Sequence, residues 1–428
     1  MRTIVVKTIE NLDTFKDQLL TWSQSFREVV FLDSNQYQQR YSSFDLVCAV
    51  DGFTAIQTDY HNAFQDLHEY QSRTKDWLFG YLAYDVKNDT EQLDSNNWDG
   101  LHFPDLFFFQ PKKLFLIQGN ELQIQYLPMC DDEIEMDLVA IQNTKPSTSF
   151  SPKCSIQQRI SKEEYLTKVQ KMLDYIHRGA IYEANFCMEF FADDATLEPQ
   201  NIYQKLNLIS KPPFATFFKN NKHYLLCASP ERYLRKDENR ILSQPIKGTS
   251  KRFPEDKTKD EESKTNLSNN QKERSENIMI VDLVRNDLSH TAEKGSVLVK
   301  ELCGIYTFEQ VHQMISTIVS TIAPETSAAE VLKTTFPMGS MTGAPKISAM
   351  KIIEELEETK RGLYSGAVGY FTPTGDFDFN VVIRSILYNQ QNKYLSFSVG
   401  SAITAQSTPE KEYEECLLKA QAMFAVLS

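Results

Sequence analysis

The stretch ERSENIMIVDLVRNDL (residues 273–288) combines an apolar run with a pair of acidic side chains. From residue 276 onward it is largely apolar over a helical length, which predicts a buried helix. Glu273 and Glu276 are three residues apart, so a helix places both carboxylates on one side. The stretch therefore predicts a helix that presents two carboxylates where its buried part begins.

A second acidic pair, Glu412 and Glu415, has the same spacing in TPEKEYEECLLKA (408–420), which also predicts a helix. If the two helices meet, four carboxylates repel one another unless a divalent cation joins them, and an all-oxygen site of this kind suits Mg²⁺. The spacing alone fits an ordinary solvated helix surface equally well, because such pairs are common on exposed helices.

Composition narrows the classes of partner. The chain has 428 residues, of which 41% are hydrophobic, and a formal net charge of −13. Such an acidic surface repels phosphate backbones and anionic lipid, so neither nucleic acid nor a membrane is expected as a partner. An anionic small substrate would need a local reversal of charge.

The N-terminal residues and the cysteines favour the cytoplasm. MRTIVVKTIENLDTFKDQLL contains charges throughout and no apolar core of signal-peptide length. The seven cysteines are scattered, odd in number and without a CxxC pair, which favours reduced thiols over a disulfide framework or a zinc site.

The chain divides into two portions of one expected globular body. Residues 1–142 are predicted to form an N-terminal α/β portion, with a hairpin turn at Gly119-Asn120. Residues 143–158, which begin with a stretch rich in Ser, Thr, Pro and Lys, are predicted to be a linker. Residues 159–428 form the second, catalytic portion.

Capping residues predict two helix starts in the second portion. Ser161 with Glu164, and Ser407 with Glu410, match the capping-box pattern. Residues 251–275 are charged and lack apolar periodicity, so we expect a mobile flap or a short solvated helix there.

A series of motifs connects the two acidic pairs. In chain order they are SPERYL (229–234), QPIKGTSKR (244–252), ERSENIMIVDLVRNDL (273–288), FPMGSMTGAPKISAMKIIEELE (336–357), RGLYSGAVGYF (361–371), NVVIRSIL (380–387) and TPEKEYEECLLKA (408–420). Together they resemble the chorismate-utilising enzymes, which include anthranilate, aminodeoxychorismate, isochorismate and salicylate synthases. The resemblance extends from about residue 160 to the C-terminus and is closest to component I of the aminodeoxychorismate synthases.

The resemblance implies an α/β (α+β) fold like that of anthranilate synthase component I: a layered sandwich of two packed antiparallel sheets with outer helices. It implies that Glu273, Glu276, Glu412 and Glu415 are ligands of a Mg²⁺ cofactor, with Glu276 and Glu415 as the direct contacts. The substrate it implies is chorismate, bound in the cleft between the sheets.

Lys247 in PIKGT is the most specific single residue. Replacing a ring hydroxyl by ammonia at the same carbon is easiest as two displacements, with an enzyme amine attacking first. Aminodeoxychorismate synthases typically have this lysine, so the resemblance implies that it attacks ring carbon 2 as the 4-hydroxyl leaves. A lysine that only pairs with a substrate carboxylate is the alternative.

Other positions match the family's site. Glu231 matches the proposed general acid, which would need a raised pKa, and a structural salt bridge to a neighbouring arginine is its alternative. Arg384 is flanked by apolar residues and is predicted to be a strand arginine that binds a substrate carboxylate bidentately. The positions expected to line the substrate pocket are Gly248, Thr249, Ser340, Tyr364, Arg384 and Ala402.

The sequence also departs from the family pattern. Gln313 stands where many relatives have histidine, and GSAITAQS (400–407) replaces a more glycine-rich loop. Relatives that activate water have a lysine in the strand matching IYEANF (181–186), where this chain has Tyr182, Glu183 and Ala184. Isochorismate and salicylate formation are therefore disfavoured.

FLDSNQ (31–36) and KPPFATF (211–217) are weakly similar to the segments that line a tryptophan pocket in many relatives. Tryptophan binding there is left open. No amidotransferase nucleophile motif is present, so the expected ammonia source is a separate glutaminase subunit.

The sequence as a whole predicts amination of chorismate to 4-amino-4-deoxychorismate, on the route to p-aminobenzoate and folate. Anthranilate synthase component I is the alternative enzyme. A non-catalytic chorismate-binding paralogue is the alternative from a different class.

Overall fold

Antiparallel strands form the centre of the molecule. The computed structural model describes residues 2–37, 41–145, 151–309 and 311–428. Its strands are β1 (Thr3–Thr8), β2 (Glu28–Asp33), β3 (Leu46–Thr58), β4 (Leu78–Leu82), β5 (Leu106–Gln118), β6 (Glu121–Tyr126), β7 (Gln157–Gln158), β8 (Glu183–Ala192), β9 (Phe214–Asn220), β10 (His223–Ser229), β11 (Arg232–Asp237), β12 (Arg240–Ser243), β13 (Ile246–Lys251), β14 (Leu298–Thr307), β15 (Val311–Thr321), β16 (Gly343–Ala344), β17 (Ala367–Phe371), β18 (Phe377–Val381), β19 (Ser385–Asn389) and β20 (Tyr394–Thr404).

Helices pack around these strands. They are α1 (Leu12–Ser23), α2 (Ala63–Thr74), α3 (Lys87–Thr90), α4 (Ile134–Asn143), α5 (Lys162–His177), α6 (Pro199–Ser210), α7 (Lys257–Asn269), α8 (Gln271–Ser289), α9 (Ala328–Thr335), α10 (Lys346–Leu356) and α11 (Pro409–Leu427).

The strands form two sheets that share β3 and β5. The first sheet has the order β1-β6-β5-β3-β2-β9-β10-β19-β20-β8, with β7 and β16 paired to β8. The second has the order β3-β5-β4-β17-β18-β11-β12-β15-β14, with β13 also paired to β15. The β3–β5 register shifts at Gly52, where the two strands pass from one sheet to the other.

Alternation along the strands of the first sheet builds two cores. In β2, Val29 and Phe31 point into the outer core, under α1 and α6, whereas Val30 points into the inner core. Leu226 and Leu225 of β10 divide in the same way, as period-two geometry requires. Side chains of the second sheet join the inner core, so the two sheets pack face to face. The predicted layered α/β sandwich is confirmed.

Helices cover both sheets. α1, α4, α5, α6, α10 and α11 supply the outer core, while α2, α8 and α9 contribute to the inner core beside the second sheet. α8 contains the predicted helix 276–288, but only one of its faces is buried and Ile278 is exposed. The charged segment 251–275 contains α7, in which Leu267 is the one buried residue, so the solvated-helix alternative is confirmed.

The two portions of the sequence interleave. β2 pairs with β9, and β4 pairs with β17, so strands from residues 1–142 lie beside strands from residues 159–428. The predicted boundary, 143–158, begins at the end of α4 and ends with β7; residues 146–150 lie outside the described part of the chain. The predicted turn at Gly119-Asn120 joins β5 to β6.

The seven thiols are free, and six of them are buried. Across the described ranges, no helix combines the length and the apolar character needed to cross a bilayer.

Candidate active site

Lys247 lies on an irregularity of β13. Ile246 faces Ile315 of β15 and Thr249 faces Gln313, so one residue more lies between the paired positions on β13 than on β15. Such a bulge turns a side chain away from the regular alternation of a strand. Gly248 completes the bulge with a φ of +100°, and a Cβ there would lie 3.2 Å from Glu273 Oε2.

The bulge directs the Lys247 amine towards a group of carboxylates. Its Nζ lies 3.0 Å from Glu183 Oε1, and only 15% of its side chain is exposed. Burial by itself would lower the pKa of Lys247, but the charges of Glu183, Glu276 and Glu415 raise it above its usual range. The amine is therefore held inside the protein as a cation in the absence of other ligands.

Glu231 lies in the turn between β10 and β11. Its residue is 6% exposed, and its backbone N–H donates to Ser229 Oγ. Burial raises the pKa of Glu231 to about 7, although Ser340 and the Lys247 charge oppose the increase. The Ser340 hydroxyl lies towards this carboxyl without completing a hydrogen bond of good geometry. The raised pKa is the one that a general acid at this position needs.

Three of the four predicted metal-binding glutamates are electrostatic neighbours. Burial raises the pKa of Glu276 to about 7, with Lys247 and Lys272 acting against it and Glu183 and Glu273 adding to it. Glu273 of α8 is also an electrostatic neighbour of Glu415 of α11, whose negative charge helps to raise the pKa of Glu273 after burial. Glu412 is buried on α11, where it is an electrostatic neighbour of Tyr165.

The donor chemistry of these glutamates fits a hard divalent cation. Glu276 Oε1 is buried and accepts no hydrogen bond, with the Lys272 ammonium 3.7 Å away, and Glu415 is paired with Lys419. An acceptor of this kind is costly to bury unless a cation or donor reaches it. Within the described residues, however, no three His, Cys, Asp or Glu side chains already converge on one point.

Arg384 does not lie in a strand, contrary to the sequence-based prediction. It occupies the short connection between β18 and β19, with φ at +52°. β18 belongs to the second sheet and β19 to the first, so the chain must cross from one sheet to the other at this point. A left-handed residue makes that turn, and the guanidinium lies near Lys419 of α11.

The Arg384 guanidinium is available for a ligand. Among the described residues its one hydrogen bond is a long contact of 3.4 Å to the carbonyl of Lys419. Tyr364 and Glu415 are its electrostatic neighbours. The Tyr364 hydroxyl accepts a hydrogen bond from Cys187 Sγ, and burial raises the pKa of Tyr364.

The remaining predicted positions surround this space less closely. Thr249 is exposed on β13, Ala402 pairs with Asn185 across β20 and β8, and the Ser340 carbonyl accepts from Asn185 Nδ2. Near this region Lys346, the first residue of α10, forms an ion pair with Asp287.

Glu183 and Asn277 belong to this group of residues, although no role was predicted for them. Glu183, at the start of β8, was noted only for not being a lysine, although an acidic residue in the apolar run IYEANF is a signal for a buried polar function. Asn277 of α8 donates to the carbonyls of Lys247 and Met314, each at 3.2 Å, and so fixes the bulge to the helix. Because Asn277 directly follows Glu276 in the ERSEN motif, the sequence gives no separate signal for its role.

A small cavity lies where the tryptophan-type pocket was anticipated. Its lining includes Leu32, Asp33 and Ser34 from the first segment and Pro213 and Phe214 from the second. The cavity volume is about 60 Å³, which is far below the size of typical small-molecule pockets.

Comparison with known proteins identifies a family. The sequence profile described as "chorismate binding enzyme" matches residues 27–425. A probable chloroplastic aminodeoxychorismate synthase of Oryza sativa subsp. japonica is 34% identical over 86% of this chain, which spans 44% of that protein. Aminodeoxychorismate synthase component 1 of Escherichia coli (strain K12) is 33% identical over 78% of this chain, which covers 73% of its length.

Solved structures show the same fold. Anthranilate synthase component I from Streptococcus pneumoniae TIGR4 superimposes with a TM-score of 0.79 at 24% identity, over 91% of this chain and 94% of that chain. The menaquinone-specific isochorismate synthase from Escherichia coli gives a TM-score of 0.77 at 15% identity, over 100% of this chain and 95% of that chain.

Proposed function

The chain belongs to the chorismate-binding enzymes, and from this premise we propose that it aminates chorismate to 4-amino-4-deoxychorismate with Lys247 as the nucleophile. The product and the lysine mechanism go beyond family membership. The plant relative is more than twice as long as this chain, so the reaction is proposed for this chain on the basis of its own residues.

The position of Lys247 is the observation that carries the proposal. Its amine is largely withdrawn from solvent and faces Glu183, Glu276 and Glu415. It is also an electrostatic neighbour of Glu231, whose pKa of about 7 suits donation of a proton at neutral pH. A nucleophile and a general acid thus share one cleft.

The first displacement uses both groups. The Lys247 ammonium first gives a proton to water. The neutral amine then forms a bond to ring carbon 2, the two conjugated double bonds of the ring shift, and the bond between carbon 4 and its hydroxyl breaks. Glu231 gives its proton to the departing oxygen, which leaves as water, so that Glu231 becomes a carboxylate.

The second displacement reverses the shift. The lone pair of ammonia forms a bond to carbon 4, the double bonds return, and the electron pair of the bond at carbon 2 goes back to the Lys247 nitrogen. A proton of the new ammonium group restores the Glu231 acid. The balance is chorismate plus ammonia giving 4-amino-4-deoxychorismate plus water.

The proposed cofactor is Mg²⁺. Glu273, Glu276, Glu412 and Glu415 would hold the ion, which when bound supplies positive charge for a substrate carboxylate and offsets the negative charge that keeps Lys247 protonated. Arg384, whose guanidinium makes one long hydrogen bond among the described residues, would bind the other carboxylate of the substrate.

The proposed partner is a glutaminase subunit that supplies ammonia. The bacterial relative is called component 1, which implies a second component. The proposed product would serve p-aminobenzoate and folate synthesis, and the pattern of buried free thiols supports the cytoplasm as the proposed compartment.

Product analysis tests the proposal. The wild-type chain is incubated with chorismate, ammonium and Mg²⁺, and the product is identified by mass spectrometry and by anthranilate fluorescence. We expect 4-amino-4-deoxychorismate, lost when Mg²⁺ is removed with EDTA. We expect Lys247→Ala to reduce its formation at least about 10³-fold. Lys251→Ala, which removes an exposed lysine from the same strand, is the matched control and should retain the activity.

Three results would contradict the proposal. Anthranilate as the product would assign the chain to the alternative amination at carbon 2. Chorismate binding without any product would assign it to a non-catalytic paralogue. An unimpaired Lys247→Ala variant would remove the lysine mechanism while leaving the reaction itself in place.

A further inference from the structure

Glu183 is a buried carboxylate with one partner and one vacant oxygen. It begins β8 between β16 and β20, facing Ala344 on one side and Thr404 on the other. Its side chain is 3% exposed. Oε1 accepts a hydrogen bond from Lys247 Nζ at 3.0 Å, whereas Oε2 is buried and accepts none.

An unpaired carboxylate oxygen in such a place is unfavourable unless a donor reaches it. Lys247 is engaged at Oε1, and Glu276, an electrostatic neighbour of Glu183, is itself acidic and offers no donor in its ionised form. The surroundings are therefore negative, and the missing partner must bring N–H groups and preferably a positive charge. It must also be small, because the Glu183 side chain is almost fully buried.

We propose that Oε2 of Glu183 is the subsite for the ammonium ion or ammonia molecule that supplies the second nitrogen of the reaction. This inference rests on the proposed function. One carboxylate then holds both nitrogens of the exchange, the Lys247 amine at Oε1 and the incoming nitrogen at Oε2.

The spacing suits the two displacements. The oxygens of one carboxylate are separated by about the same distance as two ring carbons in a 1,3 relation, which is the relation between carbons 2 and 4. A nitrogen at each oxygen therefore lies beside the carbon that it attacks, and such alignment is a large source of rate acceleration.

Ammonium titrations test the subsite. Initial rates are measured against ammonium chloride at saturating chorismate for the wild type, Glu183→Gln and the charge-matched surface control Glu163→Gln. Glutamine can still accept from Lys247, but it presents an uncharged amide to the incoming nitrogen. We expect the KM for ammonium to rise at least tenfold in Glu183→Gln, with the chorismate KM changed less than threefold and Glu163→Gln unchanged. An unaltered ammonium KM would overturn the subsite.

Trapping the first intermediate separates this inference from the proposed function. Without ammonium, chorismate should leave a covalent adduct on Lys247 that intact-protein mass spectrometry detects in both the wild type and Glu183→Gln. An adduct in the wild type but not in the variant would mean that Glu183 acts only on the lysine, which overturns the subsite. No adduct in the wild type would instead count against the lysine mechanism.

A second variant guards against misfolding. Glu183→Asp keeps the charge but shortens the side chain by one methylene, so the carboxylate no longer reaches both nitrogens. If Glu183→Gln loses its cooperative thermal transition, Glu183→Asp carries the same test. We expect it to raise the ammonium KM, and a wild-type value would contradict the subsite.

Discussion

At the scale of single residues, the carboxyl group of Glu231 shows how burial prepares a side chain for its role. Ordinary glutamates are ionised at neutral pH, but burial raises the pKa of Glu231 to about 7. A substantial fraction of the Glu231 side chains is therefore protonated at neutral pH, as the predicted role of general acid needs.

This pKa predicts the pH dependence of the reaction. A carboxyl with a pKa of about 7 is protonated and can donate a proton below that pH, whereas it is ionised above it. The value of kcat/KM should therefore fall about tenfold per pH unit on the alkaline side. Glu231→Gln should lower kcat by roughly 10²–10⁴-fold and abolish the decline above pH 7. Steady-state rates from pH 5 to 9 measure both effects. A Glu231→Gln variant that keeps the alkaline decline would assign the titration to another group.

The buried charge of Glu276 is predicted to lower the stability of the folded chain. Its pKa is about 7 in the folded chain and near 4.5 when unfolded, so the folded state loses stability as the pH rises from 4.5 to 7. Glu276→Gln removes this cost and should be more stable than the wild type above pH 7 without Mg²⁺, by on the order of 2 kcal/mol.

Urea unfolding at pH 5 and pH 8 measures the difference. The gain should shrink towards pH 4.5, and the surface control Glu163→Gln should show no such pH dependence. A Glu276→Gln variant that is less stable at pH 8 would mean that its ion pairs outweigh its burial.

The motifs predicted some residue environments and not others. Lys247 and Glu231 were singled out because the motifs around them resemble those of the family, and an apolar environment was expected for Glu231 from the residues of its strand. Glu183 was missed because its role depends on Lys247, 64 residues away in the chain, and no local pattern records that contact.

At the scale of elements, the bulge in β13 orients the side chain of Lys247 towards the carboxylates. Gly248→Ala should destabilise the chain by about 2–3 kcal/mol, because φ of +100° is unfavourable for alanine and the new Cβ would meet Glu273 and Met314. The same change should lower amination more than stability alone explains, since it displaces Lys247.

Gly295→Ala is the matched control. Gly295 also has a positive φ, +77°, but a Cβ there meets nothing within 4 Å. It should cost about 1 kcal/mol and leave the rate of amination unchanged. Equal losses of activity in the two variants, measured beside their thermal unfolding, would argue against the bulge as the positioning device.

Helix starts show where a local sequence pattern is sufficient to predict the structure and where it is not. The capping box at Ser161 is present, with Glu164 completing it. The predicted box at Ser407 is wrong: α11 is capped at Thr408, and Ser407 Oγ instead accepts from the backbone of Thr404. The preceding turn competes for that hydroxyl, and the sequence gives no measure of such competition. Arg384 was misplaced for a similar reason, because apolar neighbours do not reveal that the chain changes sheets.

At the scale of the whole molecule, the interleaving of strands predicts that the catalytic portion cannot fold alone. Residues 159–428 would lack β2 and β4, so β9 and β17 would each lose one of their two partner strands. We expect that fragment to show no cooperative thermal transition by circular dichroism and to aggregate on size-exclusion chromatography. The full chain should unfold in one transition. A monomeric fragment that binds chorismate would contradict this view.

The crossing at Arg384 connects the substrate site to the packing of the molecule. Arg384 lies on the backbone segment that connects the two sheets. The position of its side chain therefore depends on the distance between the sheets, which is set by the thickness of the inner core. Volume changes in the inner core, such as Phe379→Leu, would then retune affinity for a dianionic ligand. Variation in that remote apolar layer is a route by which evolution could adjust substrate preference without touching a catalytic side chain.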